Sequence, residues 1–260
     1  MSSLESIFQN PLDLFTKAIK RGSYFLRTGY WHTPERCCEG FPDDNFANHL
    51  KVYRFALQFA VDKDVLDVGS GTGYGIHAIS QSCKSALGID LSRQAIRYAK
   101  RKYQNSNLQY IRMNAESLAF DDKSFDLIIS TENFEHLHDQ RANLRETARV
   151  LRDDGALLLA TPNPEMFLGI QNRYHTHEFV FEELLNLARE FYRDCVIAEN
   201  LLEPNTPEGI RMKAERVARG AVGVNLAAKP IIWGRTIDNT WISNTHSFVC
   251  FCRFPLRNHH

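Results

Sequence analysis

The sequence lacks an excess of either charge: 31 Lys and Arg residues balance 31 Asp and Glu over 260 residues. General binding to nucleic acid or to an anionic membrane usually leaves a basic surplus, so neither is expected. A long apolar run is also missing. The most apolar short stretch, Ala156 to Ala160, is far below the roughly 20 residues that cross a bilayer. The N-terminus has no basic start, apolar core and small-residue cleavage site of a secretory signal. A cytoplasmic protein with reduced thiols is therefore expected. The six cysteines include Cys37-Cys38 and Cys250-x-Cys252, but neither pair has zinc-knuckle spacing. Buried structural thiols, and no metal, are the expectation. Internal repeats and low-complexity segments are absent as well.

What is present suits one soluble α/β domain with an appendage: 43% hydrophobic and 24% charged residues. Residues 1–45 read as a helical and aromatic cap. An amphipathic helix follows over Asn45–Val61, with Phe46, Leu50, Tyr53, Leu57 and Val61 at helical spacing. Strands are then expected at Val65–Val68, Ala86–Ile89, Leu108–Arg112, Phe125–Ser130 and Ala156–Ala160, and two closing strands at Cys195–Ala198 and Phe248–Phe254. Helices are expected at Gly73–Gln81, after the cap Ser92, at Ala142–Leu151 and at Phe181–Phe191. The helix ending at Leu151 is expected to stop at Asp153-Asp154-Gly155. This alternation predicts a Rossmann-like three-layer sandwich around a seven-stranded, mostly parallel sheet with an antiparallel last strand. The domain spans 46–260, with an insertion over 203–245. Ligands of such sheets sit at the carboxyl ends of the strands.

The first strand runs into Asp67-Val68-Gly69-Ser70-Gly71-Thr72-Gly73-Tyr74-Gly75. Glycines let a ligand touch the main chain, and the helix beyond offers free N–H groups. A dinucleotide fingerprint needs Gly or Ala at a sixth place that Tyr74 or Ile76 occupies here, and a phosphate loop of the Walker type needs a Lys that is absent. The pattern D-x-G-x-G-x-G instead resembles motif I of the class I S-adenosylmethionine (SAM)-dependent methyltransferases. Four further motifs stand in the same order. Asp90 ends the second strand. Asn114-Ala115-Glu116 follows the third. Phe125-Asp126-Leu127-Ile128 leads to Glu135-His136-Leu137. Leu151-Arg152-Asp153-Asp154-Gly155 precedes Thr161-Pro162-Asn163. The likeness covers about residues 46–200 and is greatest to small-molecule methyltransferases of the ubiquinone-biosynthesis type. Asn114 and Asp154 depart from it, standing where an Asp and a second Gly are usual.

That resemblance implies SAM as cofactor, S-adenosylhomocysteine as product and no metal. It implies that Gly69, Ser70, Gly71 and Gly73 cradle the methionine and ribose. Asp67 would organise the loop and the ligand's ammonium group. Asp90 would accept the ribose hydroxyls, or cap the helix after Ser92 instead. Leu91, Asn114, Ala115 and Glu116 would meet the adenine, and Thr131 would close the site after the fourth strand.

Methyl transfer from a sulfonium is an in-line displacement, so alignment carries much of it. A hydroxyl acceptor must also lose its proton, which favours a nearby base. His136 is the first candidate, because a histidine titrates near neutrality. Glu132 and Glu135 come second, with helix-opening acids as the plainer reading. His175 and His177, in His175-Thr176-His177-Glu178, border the expected acceptor pocket, as do Tyr30 and Trp31 of the cap. Arg211 leads a basic face with Lys213, Arg216 and Arg219, suited to an acidic substrate or merely solvated. The expected activity is O-methylation of a small metabolite or glycan precursor by a monomer or homodimer. N-methylation of an amine, SAM binding without turnover, nicotinamide-dependent oxidoreduction and aminopropyl transfer are the alternatives.

Overall fold

The computed structural model describes residues 25–26, 28, 44–164, 172–199 and 247–256. Helix α1 spans Asp44–Ala60, and β1 spans Asp64–Val68. Then come α2 (Tyr74–Ser80), β2 (Ser85–Asp90), α3 (Arg93–Lys102), β3 (Leu108–Arg112) and β4 (Phe125–Thr131). A 3₁₀ turn at Phe134–His136 leads to α4 (Gln140–Val150), β5 (Leu151–Pro162), α5 (Phe181–Arg189), β6 (Tyr192–Glu199) and β7 (Ser247–Pro255). The strands form one sheet in the order β3-β2-β1-β4-β5-β7-β6. Every pairing among the first five is parallel, and β7 runs antiparallel between β5 and β6. The predicted fold class is the one found.

The central strands are buried on both sides, as parallel strands covered by helices must be. Period-two alternation then sorts their side chains. Val65, Leu127, Ile129 and Leu158 join α1, α2 and α3 in one core. Leu66, Val68, Ile128, Leu157 and Leu159 join α4 and α5 in the other. Helix α1 buries Val52, Tyr53, Ala56 and Ala60, one stripe at helical spacing. Helix α3 begins where Ser92 Oγ accepts from Ala95 N at 3.2 Å, and it ends in Lys100-Arg101-Lys102, which suits its negative carboxyl end.

One expected boundary is wrong. Asp153-Asp154-Gly155 does not stop a helix: α4 closes at Val150, and β5 starts at once. Phe125 pairs with Leu151 but Leu127 pairs with Ala156, so the chain between bulges outward. The two acids are exposed there. Arg152 straps the bulge to Asp126 at 2.6 Å and Asp64 at 3.1 Å, and Lys123 reaches Asp153 at 2.8 Å. An internal bulge met the polar composition that a turn would also have met.

Cys83, Cys195, Cys250 and Cys252 are buried free thiols, as expected, with the Cys250 and Cys252 sulfurs 3.3 Å apart in a hydrogen bond. Cys37, Cys38, the cap helix before residue 25 and the 203–245 insertion lie outside the described residues. Among the described residues, no helix is long and apolar enough to cross a membrane.

Candidate functional site

The strand order reverses between β1 and β4, and a cleft of about 400 Å³ opens at the carboxyl ends of the strands around that switch point. Residues 69–72 enter it from β1, Asp90 and Leu91 from β2, 113–116 from β3 and 131–133 from β4. Nearly every expected cofactor residue is therefore gathered at one place. Asp67 and Gly73 are the two that do not line it.

The three glycines of the loop have positive φ, at 78°, 54° and 86° for Gly69, Gly71 and Gly73. They do different things. A Cβ on Gly69 would lie 2.4 Å from the Asn133 side chain, and one on Gly73 would lie 2.7 Å from both Ala99 and Tyr110. These two need glycine for packing. A Cβ on Gly71 would meet nothing within 4 Å. Its backbone faces open space in the cleft, which is where a ligand fits.

Asp90 ties the loop to the next strand. Its Oδ2 accepts from Gly71 N at 3.0 Å and its Oδ1 from Ser92 N at 2.7 Å. The alternative weighed for Asp90, an acceptor at the helix start, is met by the Ser92 bond, and the Gly71 bond ties the same carboxylate to the glycine loop. Leu91 stands clear of the core. It is 62% exposed at the cleft wall, an apolar surface for a flat base. Asn114 Oδ1 accepts from Glu116 N at 3.0 Å, forming an Asx turn. Glu116 Oε1 accepts from His138 N at 2.7 Å, joining the two rims of the cleft. Ala115 is buried, and its carbonyl accepts from Asn143 Nδ2 at 2.8 Å.

Asp67 is placed differently from expectation. Alternation along β1 turns it into the core beneath α1, fully buried, where Tyr53 Oη donates to both carboxylate oxygens. Burial pushes its carboxyl up to about 7; the Tyr53 bond opposes this and the charge of Asp90 adds to it. Asp67 therefore anchors α1 behind the glycine loop.

Glu132 follows β4 with φ of 48°, a left-handed conformation that a side chain rarely adopts without constraint. Burial pushes its carboxyl up to about 7, against the lowering effect of a bond from Ser247 Oγ. His136 also lines the cleft. Its Nδ1 lies 3.0 Å from the Tyr174 carbonyl oxygen, which can only accept, so Nδ1 carries the hydrogen and Nε2 is basic.

His175 packs edge-on against the His136 ring, with centroids 5.0 Å apart, and Glu178 accepts from its Nδ1 at 2.6 Å. His177 is elsewhere. It packs on Phe179 and meets Glu183 at 2.8 Å in a separate surface groove. Tyr30, Trp31 and Arg211 lie outside the described residues. Sequence reasoning missed Met113, Asn133 and Tyr74, which also line the cleft. Tyr74 Oη sits 2.8 Å from His49 Nδ1, on a stack with Phe46. The aromatic at the broken fingerprint position was the available signal.

The lining tests which cofactor fits. Among the described residues it holds Asp90, Glu116 and Glu132 but no Lys or Arg. An acidic cleft opposes a pyrophosphate and favours a cationic ligand. Thr131 Oγ1 is buried there with no partner among the described residues, which a polar ligand would supply. SAM, with its ammonium and sulfonium, matches this set, and a nicotinamide dinucleotide does not.

Comparisons with known proteins agree. Residues 66–159 match the family model described as a methyltransferase domain. A probable S-adenosylmethionine-dependent methyltransferase of Mycobacterium tuberculosis is 32% identical over 146 residues, 55% of this chain and 53% of its own length. The phthiotriol/phenolphthiotriol dimycocerosates methyltransferase of the same species is 33% identical over 120 residues, 45% and 44% of the two chains. This chain thus spans about half the length of the curated relatives it matches. Among solved structures, the Haloferax volcanii complex of the Trm112 activator with a methyltransferase superposes with a TM-score of 0.58. That match has 17% identity and covers 83% of this chain and 93% of the other, a likeness of fold alone. Switch-point cleft, glycine loop, Asp90 and family match point the same way: residues 66–159 match a methyltransferase domain, and the chain is similar to SAM-dependent methyltransferases, whose cofactor is SAM.

Proposed function

We propose that the protein is an O-methyltransferase acting on a small molecule. The observation that carries this reading is Glu132, which lines the wall of the cofactor cleft with its carboxylate held by Ser247 and pushed up to about 7 by burial. A base matched to neutral pH is what a hydroxyl acceptor needs. SAM supplies, when bound, a methyl group on a positively charged sulfur. The chain's own residues do the rest. Gly71 and Asp90 hold the nucleoside end, and Leu91 walls the base. Glu132 takes the acceptor's proton, with Ser247 holding its carboxylate in place. His136 stands on the same wall, beside the acceptor. The relative named for a triol supports a hydroxyl acceptor.

The test is a turnover assay on a panel of small hydroxylated acceptors. Glu132→Gln should lower kcat by about 10²- to 10⁴-fold, the usual contribution of general-base catalysis. SAM affinity should fall far less than kcat. Full activity in Glu132→Gln, or turnover on amines alone, would contradict the reading.

A further inference from the structure

We infer that Glu135, His136 and His175 form a binding site for one divalent transition-metal ion at the rim of the cofactor cleft. One ligating atom from each residue lies within 4.8 Å of the other two. His136 Nε2 and Glu135 Oε1 are 3.7 Å apart. That is too wide for a hydrogen bond. It is the spacing of two ligands sharing an ion at about 2.0–2.2 Å from each.

The surroundings orient all three ligands. Tyr174 carbonyl accepts from His136 Nδ1 at 3.0 Å, and Glu178 accepts from His175 Nδ1 at 2.6 Å. Both imidazoles therefore present Nε2. A backbone carbonyl and a carboxylate are the partners that hold metal-bound histidines in one tautomer. Asn172 Nδ2 lies 3.0 Å from His175 Nε2, so that nitrogen accepts, and Asn172 must give up this bond for an ion to bind there. The third ligand is fixed as well, because Thr161 Oγ1 donates to Glu135 Oε2 at 3.0 Å and leaves Oε1 toward His136.

Two histidines and one glutamate are a catalytic-type set, three ligands with a position left open. Imidazole and carboxylate suit zinc, cobalt or manganese. His136 lines the cleft, so the ion borders the space proposed for the acceptor. There it would bind an acceptor oxygen and ease loss of its proton to Glu132. Only this last role rests on the proposed O-methylation; the binding itself does not. The site goes beyond the sequence reading, which weighed His175 and His177 as a pair. The structure separates those two and joins His175 to Glu135-His136 instead.

The test is titration of the metal-stripped full chain with Co²⁺, followed by visible absorption, and with Zn²⁺ by calorimetry. One ion per chain should bind, with visible bands of a low-coordinate site. His175→Ala and Glu135→Gln should weaken binding at least 100-fold, and Glu178→Gln by 10- to 100-fold. His177→Ala should leave it unchanged. Thermal melting checks that each variant folds, and His175→Gln replaces the alanine variant if it does not. SAM is titrated in parallel. No Co²⁺ binding, or binding unaffected by His175 and Glu135 substitution, overturns the site while leaving the cofactor reading intact. Loss of SAM binding in the unsubstituted protein overturns the cofactor reading instead.

Discussion

Tyr53, on α1, donates its hydroxyl to Asp67 at 3.0 and 3.2 Å, so the helix that precedes the sheet is bonded to the strand that feeds the glycine loop. The same ring lies where a Cβ on Gly75 would stand, 2.1 Å away. Placement of α1 and placement of the loop are therefore one packing problem. The carboxyl at its centre titrates far above its ordinary value, near 7.

That shift has a signed consequence. A raised carboxyl keeps its proton in the folded chain while the unfolded chain has lost it. Folding then takes up a proton between about pH 4 and 7, and stability falls as pH rises through that window. Asp67→Asn keeps an acceptor for Tyr53 and removes the titration. Melting curves should show the unsubstituted protein losing more Tm from pH 5 to pH 8 than Asp67→Asn. Equal losses would show that Asp67 is ionised at no cost.

The glycines separate by purpose. Gly73→Ala must push Ala99 and Tyr110 aside and accept φ of 86°. It should cost about 2–4 kcal/mol, combining overpacking with left-handed strain. Gly71→Ala meets no atom and should cost only the strain, about 1–2 kcal/mol. Its methyl enters the ligand's space, so SAM affinity should fall more than tenfold. Chemical denaturation and calorimetry on the two variants check the crossover.

Ser247 donates to Glu132 and holds its carboxyl lower than burial alone would. Ser247→Ala should therefore move the acidic limb of the kcat/KM profile to higher pH. A profile that stays in place would take Glu132 out of the proton transfer.

Arg149, on α4, ties down the segment after β3. It donates to the carbonyls of Leu118 and Phe120 at 2.8 Å and pairs with Glu146 and Asp122. Glu146 in turn accepts from Leu118 N at 2.8 Å. Arg149→Leu should destabilise the domain by roughly 1–3 kcal/mol, because it strands bonded carbonyls. Urea unfolding measures it.

The strands and the cleft were legible because they rest on local chemistry. Asp67 to Gly73 reads as a strand, a glycine turn and a helix start, and Asp90 closes a short apolar run. What could not be read were relations across the sheet. Asp67 opens the D-x-G-x-G-x-G pattern, yet its side follows from alternation and from α1 packing over it. His175 and His177 look equivalent in sequence, but only His175 meets His136. The bulge at Arg152–Gly155 depends on Asp64 and Asp126, far away in the chain. Tyr74 looked like a failed fingerprint until His49 and Phe46 were seen beside it.

The central claim is that the switch-point cleft holds an adenosyl ligand against Gly71 and Asp90. Calorimetric titration with SAM, S-adenosylhomocysteine and NADH, on the unsubstituted chain and on Asp90→Ala, tests it most directly. Micromolar binding of the two adenosyl ligands, absent for NADH and lost in Asp90→Ala, is the predicted result. Binding of NADH alone, or adenosyl binding that Asp90→Ala leaves intact, would contradict it.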